Sequence, residues 1–488
     1  MARRRSTPLI RLSRDDNEPL YRQLRNGLVA AIEAGTLGPG DLLPSSRTLA
    51  LELDVSRNTA NLALQELVTE GFIQSIDRVG YVVSQEVGPF VQARREPPGI
   101  PIDWDVRFRH PTDPYPHMRK PPNWSDYSYP FVVGQPDPSL FPTRAWNRAG
   151  RAALDGENRS ISLSDLIDQD DQLLTTLLCE RILPARGISA TPDQILVSLG
   201  SQQGLFLVAH ALVGSSSRVG VEDPGYPDAR HIFSRRRGTL RAMPIDDQGI
   251  LVEGTTSGLD VVFVTPSHQY PTNVTLAVGR RQQLLTAAAD DDFVVIEDDY
   301  DAEFRYQGQP TPALKAMDET GRVVYLGSFS KFLAPGLRLG YIVADAPLIE
   351  HLRDIRRYML RHPAGILQRT TALMIESGDY AASVRKTRIA VKDKWERASS
   401  GLATHLPEWN IPTQTGGLSI WVPGPSGFDA TGLARLALGR GIVIEPGNVC
   451  FLNEPRPVNY FKLGFSGIAA DSIEPGIAAL ATLIEDQT

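Results

Sequence analysis

Apolar positions follow two rhythms along the chain. Between residues 18 and 84 they recur at helical spacing. Leu20, Leu24, Leu28, Ala31 and Ile32 mark one face of a helix from Tyr21 to about Ala34, which Gly35 and Gly38-Pro39-Gly40 stop. Ser45 or Ser46 can cap a short second helix through about Leu53. After the turn Leu53-Asp54-Val55-Ser56, Ser56 can cap a third helix through Ala60, Leu64 and Leu67 to Gly71. Phe72-Ile73 and Tyr81-Val82-Val83 around Asp77-Arg78-Val79-Gly80 then predict a β-hairpin. From about residue 140 the rhythm changes. Continuous apolar runs at 195–199, 261–264, 294–296 and 323–326 alternate with helix-length segments, predicting a mostly parallel sheet covered on both faces. Between these regions, residues 86–142 hold 13 of the 37 prolines, so a linker or an extended surface segment is expected there.

The expected architecture is therefore multidomain: a reader at 1–85, mostly α with a β wing, a Pro-rich linker at 86–130, and an α/β body at 131–488. Composition agrees: 488 residues with 42% hydrophobic and 22% charged suit a soluble globular chain of two to four domains. No apolar run approaches a membrane span, and no apolar stretch follows the basic start Arg3-Arg4-Arg5, so neither a membrane partner nor a secretory leader is expected. Two cysteines cannot build a disulfide framework and fit a reducing cytoplasm. The net charge of −7 argues against nucleic acid until it is divided. Residues 1–84 carry ten Arg, no Lys and ten acidic residues, so the −7 belongs to the rest.

Two short helices with a tight turn are what a helix-turn-helix reader of DNA requires. Small polar and Arg side chains at the front of the second, Ser56-Arg57-Asn58-Thr59, can reach base edges and phosphates. A helical docking domain with solvated Arg and Ser fits the periodicity as well. The ordered strings PLYRQL, GTLGPGDLLPSSRTLA, LDVSRNTANLALQELVTEGFI and RVGYVVS resemble the winged helix-turn-helix of GntR-type regulators over residues 18–84. That resemblance implies double-stranded DNA as a partner, contacted by Ser46, Arg47, Ser56, Arg57, Asn58 and Thr59. Gly80 and Tyr81 shape the wing, and the basic arm could add phosphate contacts.

The chemistry of the body centres on Ser328-Phe329-Ser330-Lys331, just after an apolar strand. A lysine at the carboxyl end of an α/β strand lies where such sheets bind ligands. The strand Val294–Ile296 ends in Glu297-Asp298-Asp299-Tyr300-Asp301. Alone, that run is a solvated strand end or a Mg²⁺ site. Together, a lysine and a carboxylate are what pyridoxal phosphate needs, for a Schiff base and for a protonated pyridine nitrogen. Gly200-Ser201-Gln202 opens a helix whose free amides suit a phosphate, Arg338 could pair with it, and the Tyr226 ring could stack on the pyridine.

FVVGQPDPSLFP, SLGSQQGLFLVAHAL, VEDPGYP, VTPSHQYPTN, VVIEDDYDAEFRY and LGSFSKFLAPGLRLGYI resemble, in order, the fold-type I aminotransferase family. A GntR head on this body resembles the MocR subfamily of bacterial regulators. The resemblance implies a small C-terminal α+β subdomain, a homodimer facing repeated DNA half-sites, and pyridoxal 5′-phosphate bound as a Schiff base by Lys331. Asp298 meets the pyridine nitrogen, Tyr300 the phenolic oxygen, and Tyr226 the ring. Gly200, Ser201, Gln202, Ser328 and Arg338 hold the phosphate, and His268 or Tyr270 also touches the phenolic oxygen. No metal site is implied.

One departure matters: where the family carries Arg to clamp a substrate carboxylate, this chain has Lys462, a point charge without the planar fork. A standard α-carboxylate clamp is therefore not expected. An ω-amino acid, a sulfonate or the cofactor alone remains as effector. The leading reading is a regulator that senses an amine, an amino-acid-like effector or the cofactor itself through Lys331. A working aminotransferase with a vestigial head is the alternative, and the cofactor as a structural plug is a third.

Overall fold

The computed structural model describes residues 10–14, 16, 18–77, 79–85, 102–108, 120–309, 311–412 and 414–486. The basic arm at 3–5, Arg78 in the hairpin turn, and much of the Pro-rich stretch lie outside the described residues. The chain divides into two compact units, residues 1–111 and 112–488.

In the first unit, α1 (Leu20–Glu33), α2 (Ser46–Glu52) and α3 (Arg57–Thr69) precede the antiparallel strands β1 (Ile73–Ile76) and β2 (Gly80–Val83). Leu24, Leu28, Leu49, Ala60, Leu64, Leu67, Ile73 and Val83 form its core, as helical spacing predicts. Ser45 rather than Ser46 caps α2, its Oγ accepting from the Thr48 N–H at 3.2 Å. Ser56 caps α3, accepting from the Thr59 N–H at 3.0 Å. Asp54 makes the intervening turn with a φ of 51°, a conformation that short polar side chains tolerate.

The second unit is built on an eight-stranded sheet. A two-residue strand, β3 (Tyr129–Pro130), precedes it in sequence. The sheet strands are β4 (Ile195–Ser198), β5 (Arg218–Asp223), β6 (Thr239–Asp246), β7 (Gly249–Ile250), β8 (Val261–Val264), β9 (Val294–Asp299), β10 (Val323–Ser328) and β11 (Gly340–Val343), in spatial order β4-β11-β10-β9-β8-β5-β6-β7. Neighbours from β10 to β6 are parallel, while β11 runs antiparallel to both β10 and β4. Separate apolar clusters pack on the sheet, one around Leu205, Phe233 and Ile349, another around Leu284 and Phe293. Burial on both faces explains why the strands read as unbroken apolar runs.

Helix α4 (Ser201–Leu212) follows β4 directly, and the 27-residue α5 (Asp379–His405) leads to the C-terminal subdomain. There, β12 (Ser419–Pro423), β13 (Ile442–Val443), β14 (Glu445–Pro446) and β15 (Tyr460–Gly464) are followed by α6 (Ala470–Glu485). A three-stranded sheet has the order β12-β15-β14, and β13 pairs in parallel with β3. Tyr129 and Pro130, which fall at the end of the linker expected from sequence, thus pair with the body.

The cap of α3 gives a direct test. Ser56→Ala should lower the stability of the reader by about 1 kcal/mol, while Ser56→Asp, which also accepts from the helix amides, should largely retain it. Thermal unfolding of the full chain, followed at the reader's transition, checks the pair of values.

Candidate functional site

The site is assembled where β4, β9 and β10 end. Register sets Asp298 beside Leu326 and Asp299 beside Gly327, so the turn after β10 carries Lys331 back beside the acidic strand end. The acids prolong β9 rather than follow it, and all three are buried. Alternation splits them between faces. The Glu297 carboxylate accepts from the Leu314 and Lys315 N–H groups at 2.7 and 2.8 Å. Asp299 accepts from Arg186 Nε at 2.8 Å and the Tyr325 hydroxyl at 2.9 Å. Asp298 alone of the three lines the cavity that contains Lys331.

That cavity is walled by Val133, Gly134, Ser201, Tyr226, Thr265 and Tyr270, with Asp298, Tyr300, Lys331, Leu418 and Lys462 completing it. Asp298 Oδ1 is buried and, among the described residues, has no hydrogen-bond partner. Burial first, and then the neighbouring Asp299, push its carboxyl up to about 7, although Lys331 draws it down. Burial likewise lowers the Lys331 amine, against the pull of Asp301 and Asp298. Gly134 leaves room for that amine, since a Cβ at this position would lie 2.5 Å from Lys331 Nζ.

At the start of α4, Gly200 has a φ of 83°, and a Cβ there would lie 3.0 Å from the Arg338 guanidinium. Arg338 donates to the Leu199 carbonyl at 2.9 Å, which holds its charge beside the free amides of the first helical turn. The Gln202 side chain is engaged elsewhere: it accepts from the Tyr226 hydroxyl at 2.7 Å and donates to Asp228 at 3.0 Å. Ser328 Oγ accepts from the Ser330 N–H at 3.1 Å.

Of His268 and Tyr270, Tyr270 forms the cavity wall. His268 does not line this cavity; its Nδ1 is 2.8 Å from Asp301, and its backbone carbonyl accepts from the Tyr300 hydroxyl at 3.0 Å. The rings of Tyr226, Tyr270 and Tyr300 meet edge to face, at centroid distances of 5.2 and 6.5 Å.

Lys462, in the middle of β15, is 1% exposed, and its Nζ stands 3.6 Å from the centroid of the Tyr270 ring. Burial pushes its amine down to about 8, opposed by Cys450 and Glu445. Among the described residues it has no carboxylate within 4 Å, so a buried cation faces the cavity with an aromatic ring as its close neighbour.

Three residues near the site are absent from the sequence reading. Gly134 sits within a matched string and was discoverable there. Glu445 lies across the strand pair from Lys462, a relation that only the register reveals. Its carboxylate accepts from the Val133 N–H at 3.2 Å. Lys120, in the Pro-rich segment, gave no signal. It stands 5.9 Å over Trp124, burial lowers its amine while Glu445 raises it, and its charge helps to lower Lys331.

In the reader, Arg47, Ser56, Arg57 and Asn58 are exposed, while Ser46 and Thr59 are half-buried. Ser56, Arg57, Asn58 and Thr59 stand at the front of α3, where helix amides and dipole favour an anion. Gly80 opens β2 and is exposed, with Tyr81 half-buried beside it.

Comparison with known proteins bears on both units. Residues 133–480 match the family described as aminotransferase class I and II, and residues 20–83 match the bacterial regulatory proteins of the gntR family. The HTH-type transcriptional regulator TauR of Rhodobacter capsulatus is 38% identical over 95% of this chain and 96% of its own. The probable rhizopine catabolism regulatory protein MocR of Rhizobium meliloti is 29% identical, over 96% and 94%. Among solved structures, the kynurenine aminotransferase of Pyrococcus horikoshii superposes with a TM-score of 0.69 at 28% identity, covering 73% of this chain and 90% of its own. A class I and II domain implies binding of pyridoxal phosphate, and the residues present fit it. Asp298 Oδ1 lacks a donor, Gly134 clears the lysine amine, and Gly200 with Arg338 forms an anion cradle.

The raised pKa of Asp298 carries a prediction for the cofactor-free protein. Its folded value lies above its unfolded one, so the native state is penalised as pH rises from about 4 and fully so above about 7. Asp298→Asn should therefore be more stable than the wild type at pH 8 and equal to it near pH 4, measured by denaturant unfolding without cofactor. Equal stability at both pH values would contradict this.

The chain belongs to the GntR family of bacterial regulatory proteins, as a MocR-type transcriptional regulator whose helix-turn-helix head is joined to an aminotransferase class I and II domain.

Proposed function

We propose that the body senses a small effector carrying both an amine and an acid group, and that the reader binds double-stranded DNA according to its occupancy. One observation carries this reading: Lys331 and Lys462, two amines of lowered basicity, line the same cavity as Asp298. When bound, pyridoxal phosphate supplies an aldehyde for an amine and an electron-withdrawing ring. Lys331 would hold the aldehyde carbon, its lowered basicity favouring the neutral amine that bonds it. Asp298 would accept from the ring nitrogen, which restores its ionised form.

Arg338 and the peptide N–H groups of Ser201 and Gln202 would hold the phosphate with Gly200 and Ser328, leaving the Gln202 amide to fix Tyr226. The Tyr226 ring would cover the cofactor, and the Tyr300 hydroxyl would meet its phenolic oxygen beside Tyr270, with His268 as support.

Lys462 would then attract the effector's acid group. A single ammonium suits the diffuse charge of a sulfonate or the distal carboxylate of an ω-amino acid better than the bidentate geometry of an α-carboxylate. The likeness to TauR and MocR supports a regulator over a working aminotransferase. A homodimer is part of this reading, with two readers on repeated half-sites. Tyr358 is 82% exposed, and Met359 beside it touches Gln203 of α4, so exposed apolar surface lies close to the cofactor region. None of the described helices is long and apolar enough to cross a membrane, which accords with work in the cytoplasm.

Three outcomes are expected. With pyridoxal phosphate the protein should absorb at about 410–430 nm, as is usual for this cofactor on a lysine amine, and Lys331→Ala should lose that band. A colourless wild type would reject the cofactor assignment. Lys462→Met should keep the band and weaken the response to acidic amines by about thirtyfold or more, as loss of one partner of a buried charge pair does. Arg57→Ala should weaken binding to DNA from upstream of the gene and reduce the salt slope by about 1. Steady turnover of an amino donor with a keto acid, together with failure to footprint DNA, would favour the enzyme instead.

A further inference from the structure

A second cavity, of about 340 Å³, lies on the other side of the β9 strand end from the cofactor site. Asp298 faces one cavity and Asp299 the other, because neighbouring strand residues point to opposite faces. The second cavity gathers Arg181, Arg305, Arg385 and Arg388 beside the pair formed by Arg186 and Asp299.

Arg181, Arg305 and Arg388 are aimed by neutral groups. Arg181 donates to the carbonyls of Ile375 and Glu376 at 3.0 and 2.7 Å. Arg305 donates to the Gln307 carbonyl at 3.0 Å and to Thr275 Oγ1 at 3.2 Å, and Arg388 donates to the Arg305 carbonyl at 3.1 Å. Among the described residues, none of these three guanidiniums, nor that of Arg385, has a carboxylate within 4 Å. Glu303 also lines the cavity, and burial pushes its carboxyl up to about 7, so near neutral pH it is only partly ionised against the arginines.

In a chain of net charge −7, four uncompensated cations around one hollow are a specific arrangement. Guanidiniums are the side chains best shaped to receive planar acid groups in pairs of hydrogen bonds. Behind the wall lies a polar atom that wants the opposite partner: Asp299 Oδ1 is buried and among the described residues has no hydrogen-bond partner. A ligand that satisfies both features carries several acid groups and at least one hydroxyl. The volume falls within the range of small-molecule sites.

We propose that this cavity is a second ligand site, which takes a small hydroxylated polycarboxylate. Its acid groups lie against Arg181, Arg305, Arg385 and Arg388, and its hydroxyl donates to Asp299. The strand ends that hold Asp299 and Ser328 form part of its wall. They also carry Asp298 and lead to Lys331, so occupancy here bears on the residues proposed to hold the cofactor.

The test is titration calorimetry of the full chain at low ionic strength, with and without pyridoxal phosphate, using three probes. Citrate offers three carboxylates and a hydroxyl, tricarballylate the same carboxylates without the hydroxyl, and acetate a single charge. Citrate should bind saturably at one site per chain. Tricarballylate should bind about tenfold more weakly, the loss that one unmet buried acceptor entails. Acetate at equal ionic strength should give no saturable heat. Arg385 and Arg388 are exposed, so Arg385→Ser/Arg388→Ser should keep the wild-type thermal unfolding profile and lose citrate binding. No saturable citrate binding, or identical citrate titrations of the double variant and the wild type, would overturn the proposal. Because citrate is titrated both with and without cofactor, failure of the cofactor reading leaves this test intact.

Discussion

Everything proposed for the body depends on the parallel pairing of β9 with β10. That register places Asp298 beside Leu326 and lets the turn after Ser328 return Lys331 to the same edge. The pairing also imposes a problem: three successive carboxyl groups must be buried at one strand end. The fold meets it by alternation. Glu297 is bound by two peptide N–H groups, and Asp299 by a guanidinium and a phenol. Asp298, between them, is left with a buried oxygen that has no donor. An unmet acceptor in a low-dielectric setting is costly for the empty protein and is therefore a strong reason to bind a donor.

Much of this was legible in the sequence, and the reasons differ by element. Helical spacing located α1 and α3, because a small head must bury one stripe of each helix. Continuous apolar runs located the central strands, because both faces of the sheet are covered. The acidic run was read as the end of a strand, and pairing with β10 does continue to Asp299, but its burial contradicts the alternative of a solvated strand end. Apolar pattern cannot detect a strand whose last residues are buried through hydrogen bonds. Ser328 and Tyr300 were recognised by ordered strings rather than by any physical pattern, whereas Arg338 and Tyr226 were also suggested by the chemistry of a phosphate and a ring. Glu445 and Lys120 were invisible, because their relevance rests on proximity to residues remote in sequence.

Charge illustrates the same point at a larger scale. The whole chain is acidic, its first 84 residues are neutral, and within the acidic body one cavity gathers four arginines that, among the described residues, have no carboxylate within 4 Å. Each finer partition reversed the inference drawn from the coarser one. Field strength at a site is set by which charges lie within a few ångströms and by how much water separates them, so composition carries little of it.

The order of strands in the body has a consequence for the life of a newly made molecule. The reader's contacts are local and complete by residue 84, so it can fold soon after it leaves the ribosome. The sheet is different: Ser198 in β4 finds its partner only when Gly340 has been synthesised, and Lys462 arrives later still. For part of its synthesis each chain therefore carries a finished reader without a finished sensor. The two units are thus completed at different times in synthesis, one by residue 84 and the other only once β15 with Lys462 has been made.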